Sequence, residues 1–139
     1  MKNDFSGKFV SYLYTMAFLN DQTVQHLADA LNGNDRAQEW LQRTGRQELV
    51  MLHDAIRFDD DSAMEWLHEY GHDELGLFVT AIDGDPYAVQ ALFDGKQSRL
   101  ASVAGAVIGD ERSIQYLQKN NLKQWMNLVT AIKKCQSEE

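Results

Sequence analysis

One cysteine and one proline occur among the 139 residues, so covalent cross-links and rigid kinks play little part in this chain. A lone Cys135 excludes an intrachain disulfide and, with it, the small secreted scaffolds that depend on such bridges. Basic residues are also scarce: 13 Lys and Arg stand against 21 Asp and Glu, a formal charge of −8. That balance argues against nucleic acid as the partner, because phosphate binding relies on a cationic surface that releases counterions. Long apolar runs are missing too. The stretch from Phe9 to Leu19 is interrupted by Ser11, Tyr12, Tyr14 and Thr15, lacks a small-residue cleavage pattern and is too short for a bilayer. The expectation is therefore a soluble, cytoplasmic chain with no membrane partner. No segment alternates polar and apolar residues with period two, so no sheet is expected.

What the chain does have is enough apolar content, 44%, for one core, and a sequence that repeats itself every 25 or 26 residues. An alanine followed by an aliphatic residue recurs at Ala30-Leu31, Ala55-Ile56, Ala81-Ile82, Ala106-Val107 and Ala131-Ile132. Ahead of each pair stand two further apolar columns: Leu27, Leu52, Phe78, Val103 and Leu128, then Val24, Leu49, Leu75, Leu100 and Trp125. Spacings of three, four and seven put them on one stripe, so each unit opens with an amphipathic helix A. A turn follows in which Asn34, Asp60, Asp85 and Asp110 share a column suited to capping a second helix, and Pro86 stands at the first helical position after Asp85. Helix B carries a small column (Ala37, Ala63, Ala88, Ser113), a large one (Trp40, Trp66, Ala91, Tyr116) and a constant leucine (Leu41, Leu67, Leu92, Leu117). It is expected to end at Gly45, Gly71, Gly95 and Asn120, residue types that accept the left-handed backbone.

A fixed period of this size implies stacked units, each completing the core of its neighbour. The expected fold is all-α, a solenoid of about four antiparallel helix pairs forming one domain over residues 1–134. An N-terminal capping helix occupies 1–20, with its core near 5–19, repeats fill 21–134 with a last helix near 121–134, and 135–139 form a polar tail bearing a surface thiol. The run from Asp83 to Leu92, with its Gly-Asp, small residue and Leu, resembles the helical half of an ankyrin repeat. Each unit falls about eight residues short of the usual ~33 and lacks the Thr-Pro-Leu-His opening, leaving no room for the β-hairpin. The resemblance implies a helix-pair scaffold for protein recognition and carries no site residues with it.

One segment has the look of chemistry. His68-Glu69-Tyr70-Gly71-His72 matches the H-E-x-x-H pattern and resembles the metal helix of zincins, in which two histidines four apart hold zinc and the Glu activates its water. That reading, a zinc-dependent hydrolase using His68, Glu69 and His72, needs one unbroken helix. The repeat instead places Gly71 where helix B ends and aligns the segment with Gln42-Arg43-Thr44-Gly45-Arg46, which keeps the framework without the ligands. Asp59-Asp60-Asp61 lacks the glycine and distal Glu of a calcium loop and reads as a helix cap. Trp40 and Trp66 share one repeat column and read as packing. No catalytic residue, metal or cofactor is assigned. The expected function is a non-catalytic scaffold for a protein or peptide partner; a purely structural oligomer subunit is the remaining alternative.

Three surfaces are candidates for partners. Opposite the core stripe of helix A, columns containing Met51 and Leu77, then Asp54 and Thr80, with Ser102 continuing the strip, form an apolar centre with polar flanks that suits a peptide or helix. The same Met51 and Leu77 alternatively pack on a neighbouring helix. Charge is uneven along the chain: residues 1–95 hold 6 basic and 17 acidic groups, whereas residues 96–134 hold 7 and 2, a polarity suited to head-to-tail association or to docking a partner of matching polarity. In the N-terminal helix, Val10, Tyr14 and Phe18 form a second apolar stripe beside Phe5, Phe9, Tyr12, Leu13 and Met16. A helix apolar on two sides is covered on two sides, either by a homodimer across a two-fold axis or by the chain itself.

Overall fold

The computed structural model describes residues 19–138. Nine helices and no strand occur among the described residues: α1 (Asp21–Leu31), α2 (Asp35–Arg43), α3 (Gln47–Phe58), α4 (Asp61–Glu69), α5 (Asp73–Ile82), α6 (Pro86–Asp94), α7 (Ser98–Val107), α8 (Glu111–Lys119) and α9 (Lys123–Ser137). None of them is long and apolar enough to cross a membrane. The odd-numbered helices are the A helices of the repeat and the even-numbered ones the B helices. The chain is an all-α helical repeat.

The turns explain why the pairs form. At the end of A helices, Gly33, Asp59, Gly84 and Gly109 share the left-handed region, with φ between 52° and 112°. The next residue caps helix B: Asn34 accepts from Ala37 N at 2.9 Å, Asp60 from Ser62 N at 2.9 Å and Asp85 from Tyr87 N at 2.9 Å. Each bond satisfies an orphan donor of the first turn. Returning from B to A, the left-handed residues are Gly45, Gly71, Lys96 and Asn121. The helices stop at Gly95 and Asn120 as expected, but these C-caps have φ −82° and −92°, and the left-handed residue is the next one in each case. Three returns are locked alike, because the amides of His72, Gln97 and Leu122 donate to the carbonyls of Leu67, Leu92 and Leu117 at 2.8 to 3.0 Å. The constant leucine therefore holds the turn by its backbone and the core by its side chain.

Parallel A helices form the inside of the molecule and B helices the outside. The columns Leu27, Leu52, Phe78, Val103 and Leu128 are all at most 1% exposed. Each such side chain contributes about 1.5–3 kcal/mol on leaving water. Helix α7 is covered on every side: all eight residues from Leu100 to Val107 are buried. Its Ala101, Ala104, Gly105 and Ala106 are small enough for neighbours to approach closely, and a Cβ on Gly105 would stand 2.1 Å from Ser113 Oγ of α8.

The array closes on itself. Along the chain α1 packs on α3, α3 on α5, α5 on α7 and α7 on α9, and α9 then lies against α1. Hydrogen bonds run up this seam in step: Trp125 Nε1 donates to Asp21 Oδ1 at 3.0 Å, Asn127 Nδ2 to Gln25 Oε1 at 2.8 Å and Cys135 Sγ to the Leu31 carbonyl at 3.4 Å. Partner numbers rise together on both helices, so they are parallel and in register. The basic last third thereby meets the acidic first repeat within one chain, where Arg99 Nη1 lies 3.9 Å from Asp21 Oδ1. Closure also corrects the C-terminal boundary. Residues 135–137 continue α9, and Cys135 is a buried thiol, 6% exposed, because it extends the core stripe of Leu128 and Ile132. Gln136 Nε2 reaches across to the carbonyl of Ile82 at 2.8 Å.

Candidate interaction surface

The helix A strip is present only in part. Met51 and Leu77 are half-buried and pack against the core. Their column faces the large column of the following B helix, as His26 shows by stacking on Trp40 with ring centroids 4.0 Å apart. Asp54 Oδ1 engages His53 Nδ1 at 2.9 Å, and Thr80 Oγ1 donates to the Gly76 carbonyl at 3.2 Å, so both polar groups are used locally. Ser102 corrects the expectation outright: it is 0% exposed and cannot belong to a surface strip. The small residues of α7 draw α8 over this face, and the strip is interrupted there. Val10, Tyr14 and Phe18 lie outside the described residues.

Ser102 belongs to a different feature. It lines a cavity of about 320 Å³ between α6 and α8, with Phe93 and Gln90 from α6 and Asp110, Ser113 and Tyr116 from the α8 side. Its hydroxyl makes no hydrogen bond. A buried hydroxyl without a partner is costly to the fold. At the mouth, Ser113 Oγ donates to Asp110 Oδ2 at 2.7 Å. That bond, helped by the positive charge of Arg112 and the first-turn amides of α8, holds the Asp110 carboxyl below the usual carboxylate range against a smaller opposing effect of desolvation. The Asp60 carboxyl is lowered in the same way by the Ser62 hydroxyl.

The outer surface of α6 adds two aromatics, Tyr87 at 85% exposure and Phe93 at 37%. The repeat supplies an internal control for both. The column of Tyr87 holds Arg36, Ser62 and Arg112 in the other units, and that of Phe93 holds Gln42, His68 and Gln118. These columns face solvent, and only the third unit fills them with aromatic rings. Sequence reasoning missed the cleft, although this departure from polar columns was the available signal.

The H-E-x-x-H segment does not form a zincin helix. Glu69 ends α4, Gly71 turns left-handed at φ 81° and His72 precedes α5. His68 is exposed and meets Asp73 Oδ1 at 3.1 Å, while His72 stacks flat on Trp66 at 5.7 Å. The two rings are thereby committed to different neighbours and do not share a helix face. Among the described residues no three His, Cys, Asp or Glu side chains are grouped to hold a metal ion.

No protein-family model, curated protein or solved structure matches the chain.

Proposed function

We propose that this chain is a non-catalytic protein-interaction module that docks its partner on the outer face of α6 and the cleft between α6 and α8. The observation that carries this reading is the pair of aromatics, Tyr87 and Phe93, in columns that every other unit keeps polar. Exposed rings lower solubility and do nothing for a core already closed by A helices; they are the residue types that anchor interfaces. The adjoining cleft accepts one bulky apolar side chain, with the Asp110 carboxylate available to a polar neighbour on the same segment. Ring closure supports this choice of face, since it buries the inner faces of the A helices against one another.

A photocrosslinking amino acid at position 93 tests the reading in the cell of origin, with the same probe at position 36 of α2 as the control. A discrete adduct with another protein from position 93 and none from position 36 is expected. Equal labelling from both positions, or none from either, would contradict it. An adduct joining two copies of this chain would assign the surface to self-association instead.

A further inference from the structure

A second cavity, of about 350 Å³, lies at the seam where the two ends of the array meet. Its apolar walls are Leu19, Leu100, Tyr116 and Trp125, and the N-terminus of the ten-residue helix α7 adjoins it through Gln97, Ser98 and Arg99. No side chain caps that helix end, as is also true of α3, α5, α8 and α9, so its first amides retain their partial positive charge. Gln97, only 4% exposed, lines the same cavity, and its Nε2 has no hydrogen-bond partner. An amide that lost its water on folding and gained nothing in return is an unmet demand for an acceptor.

Charge points the same way. Lys96 lines the cavity and makes no ion pair among those of the described residues. It occupies a left-handed position, φ 63°, where the first two units have Gly45 and Gly71. Arg99 lies over the Trp125 ring at 5.6 Å and 3.9 Å from Asp21, whose oxygen already accepts the Trp125 indole N–H. Two cations and a helix N-terminus thus face one partly engaged carboxylate. Among the described residues the surplus is positive, and it sits beside an apolar wall in a chain whose formal net charge is −8.

We infer that the seam cavity binds a small organic monoanion, a carboxylate carried on a flat apolar body. The carboxylate takes the place between Lys96, Arg99 and the α7 N-terminus, where Gln97 finds its acceptor, and the apolar body lies against Tyr116, Trp125 and the two leucines. Asp21 at the edge disfavours a second negative charge. Because the walls come from the residues leading into α1 and from α7, α8 and α9, an occupant spans the seam and favours the closed array over any opened form. This site is separate from the α6 surface, and neither reading depends on the other.

Calorimetric titration of the full chain with naphthalene-2-carboxylate, with naphthalene-2-carboxamide as the uncharged control, tests the inference. Saturable binding of the carboxylate, at least fivefold tighter than the carboxamide, with a shift of the Trp125 indole N–H resonance, is expected. Lys96→Gln, on an exposed side chain, is expected to weaken it at least fivefold without altering the fold. Gln97→Met is expected to weaken binding while leaving the stability of the free protein unchanged or higher, because it removes an unpaired amide. Equal affinity for acid and amide, no binding at millimolar concentration, or binding unaffected by Lys96→Gln would each overturn the assignment.

Discussion

Trp125 donates its indole N–H to Asp21 across 104 positions of chain, joining the first A helix to the last. The indole is 2% exposed and has no water to fall back on, whereas Asp21 is half in solvent. Asp21→Ala should therefore cost about 1–2 kcal/mol in chemical denaturation, with Asp21→Asn, which keeps an acceptor, costing less. Equal losses for the two variants would mean that the hydrogen bond is not what Asp21 contributes.

Two helical glycines should respond to alanine with opposite sign. At Gly105 a Cβ would stand 2.1 Å from Ser113 Oγ and 2.8 Å from its Cβ, so Gly105→Ala forces α7 and α8 apart and should destabilise by about 1–3 kcal/mol. Around Gly76 in α5 nothing lies within 4 Å. Gly76→Ala should stabilise by about 0.5–1 kcal/mol through the unfolded chain alone. Thermal unfolding of the pair decides both.

Stability should fall in acid partly through Asp110. Its carboxyl is held below an ordinary value of 3.8, chiefly by the Ser113 hydroxyl, so the charged form is favoured in the folded state. The contribution is fully present above the unfolded value and is lost as pH falls through the lower folded one. Asp110→Asn should thus remove part of the dependence below about pH 4 and leave the slope at neutral pH unchanged, as followed by urea denaturation across pH.

Zinc should not bind stoichiometrically at His68 and His72, since the helix stops between them at Glu69. Adding the ion should leave the melting temperature of the wild-type chain and of His68→Ala the same. A rise in the wild type that His68→Ala abolishes would restore the metal reading.

The repeat made the local architecture legible. Caps at Asn34, Asp60 and Asp85 and the helix start at Pro86 follow from residue chemistry alone and stand where the repeat puts them, whereas Asp110 occupies the N-cap position but spends its side chain on the Ser113 hydroxyl instead of a backbone amide. Closure was not legible, because it depends on a small rotation per unit that accumulates over five A helices and leaves no local signature. The fate of Ser102 and Cys135 followed from it: one was expected on a surface strip, the other on a tail, and both are inside. The stripe Leu128, Ile132, Cys135 was the overlooked sign of a longer last helix. The charge polarity was legible, but composition cannot tell an end that meets another molecule from one that meets its own beginning.

Closure is the claim on which the buried seam, the outward docking face and the seam cavity all rest. Spin labels at positions 25 and 127, placed in a Cys135→Ser background, measure it by electron-electron distance. In the closed array these side chains are hydrogen-bonded, Asn127 Nδ2 to Gln25 Oε1 at 2.8 Å, so a single short distance is predicted, unchanged when labelled chains are diluted with unlabelled ones. An open stack of A helices, spaced about 10 Å apart, would separate the labels by about 40 Å, and that distance would contradict the account.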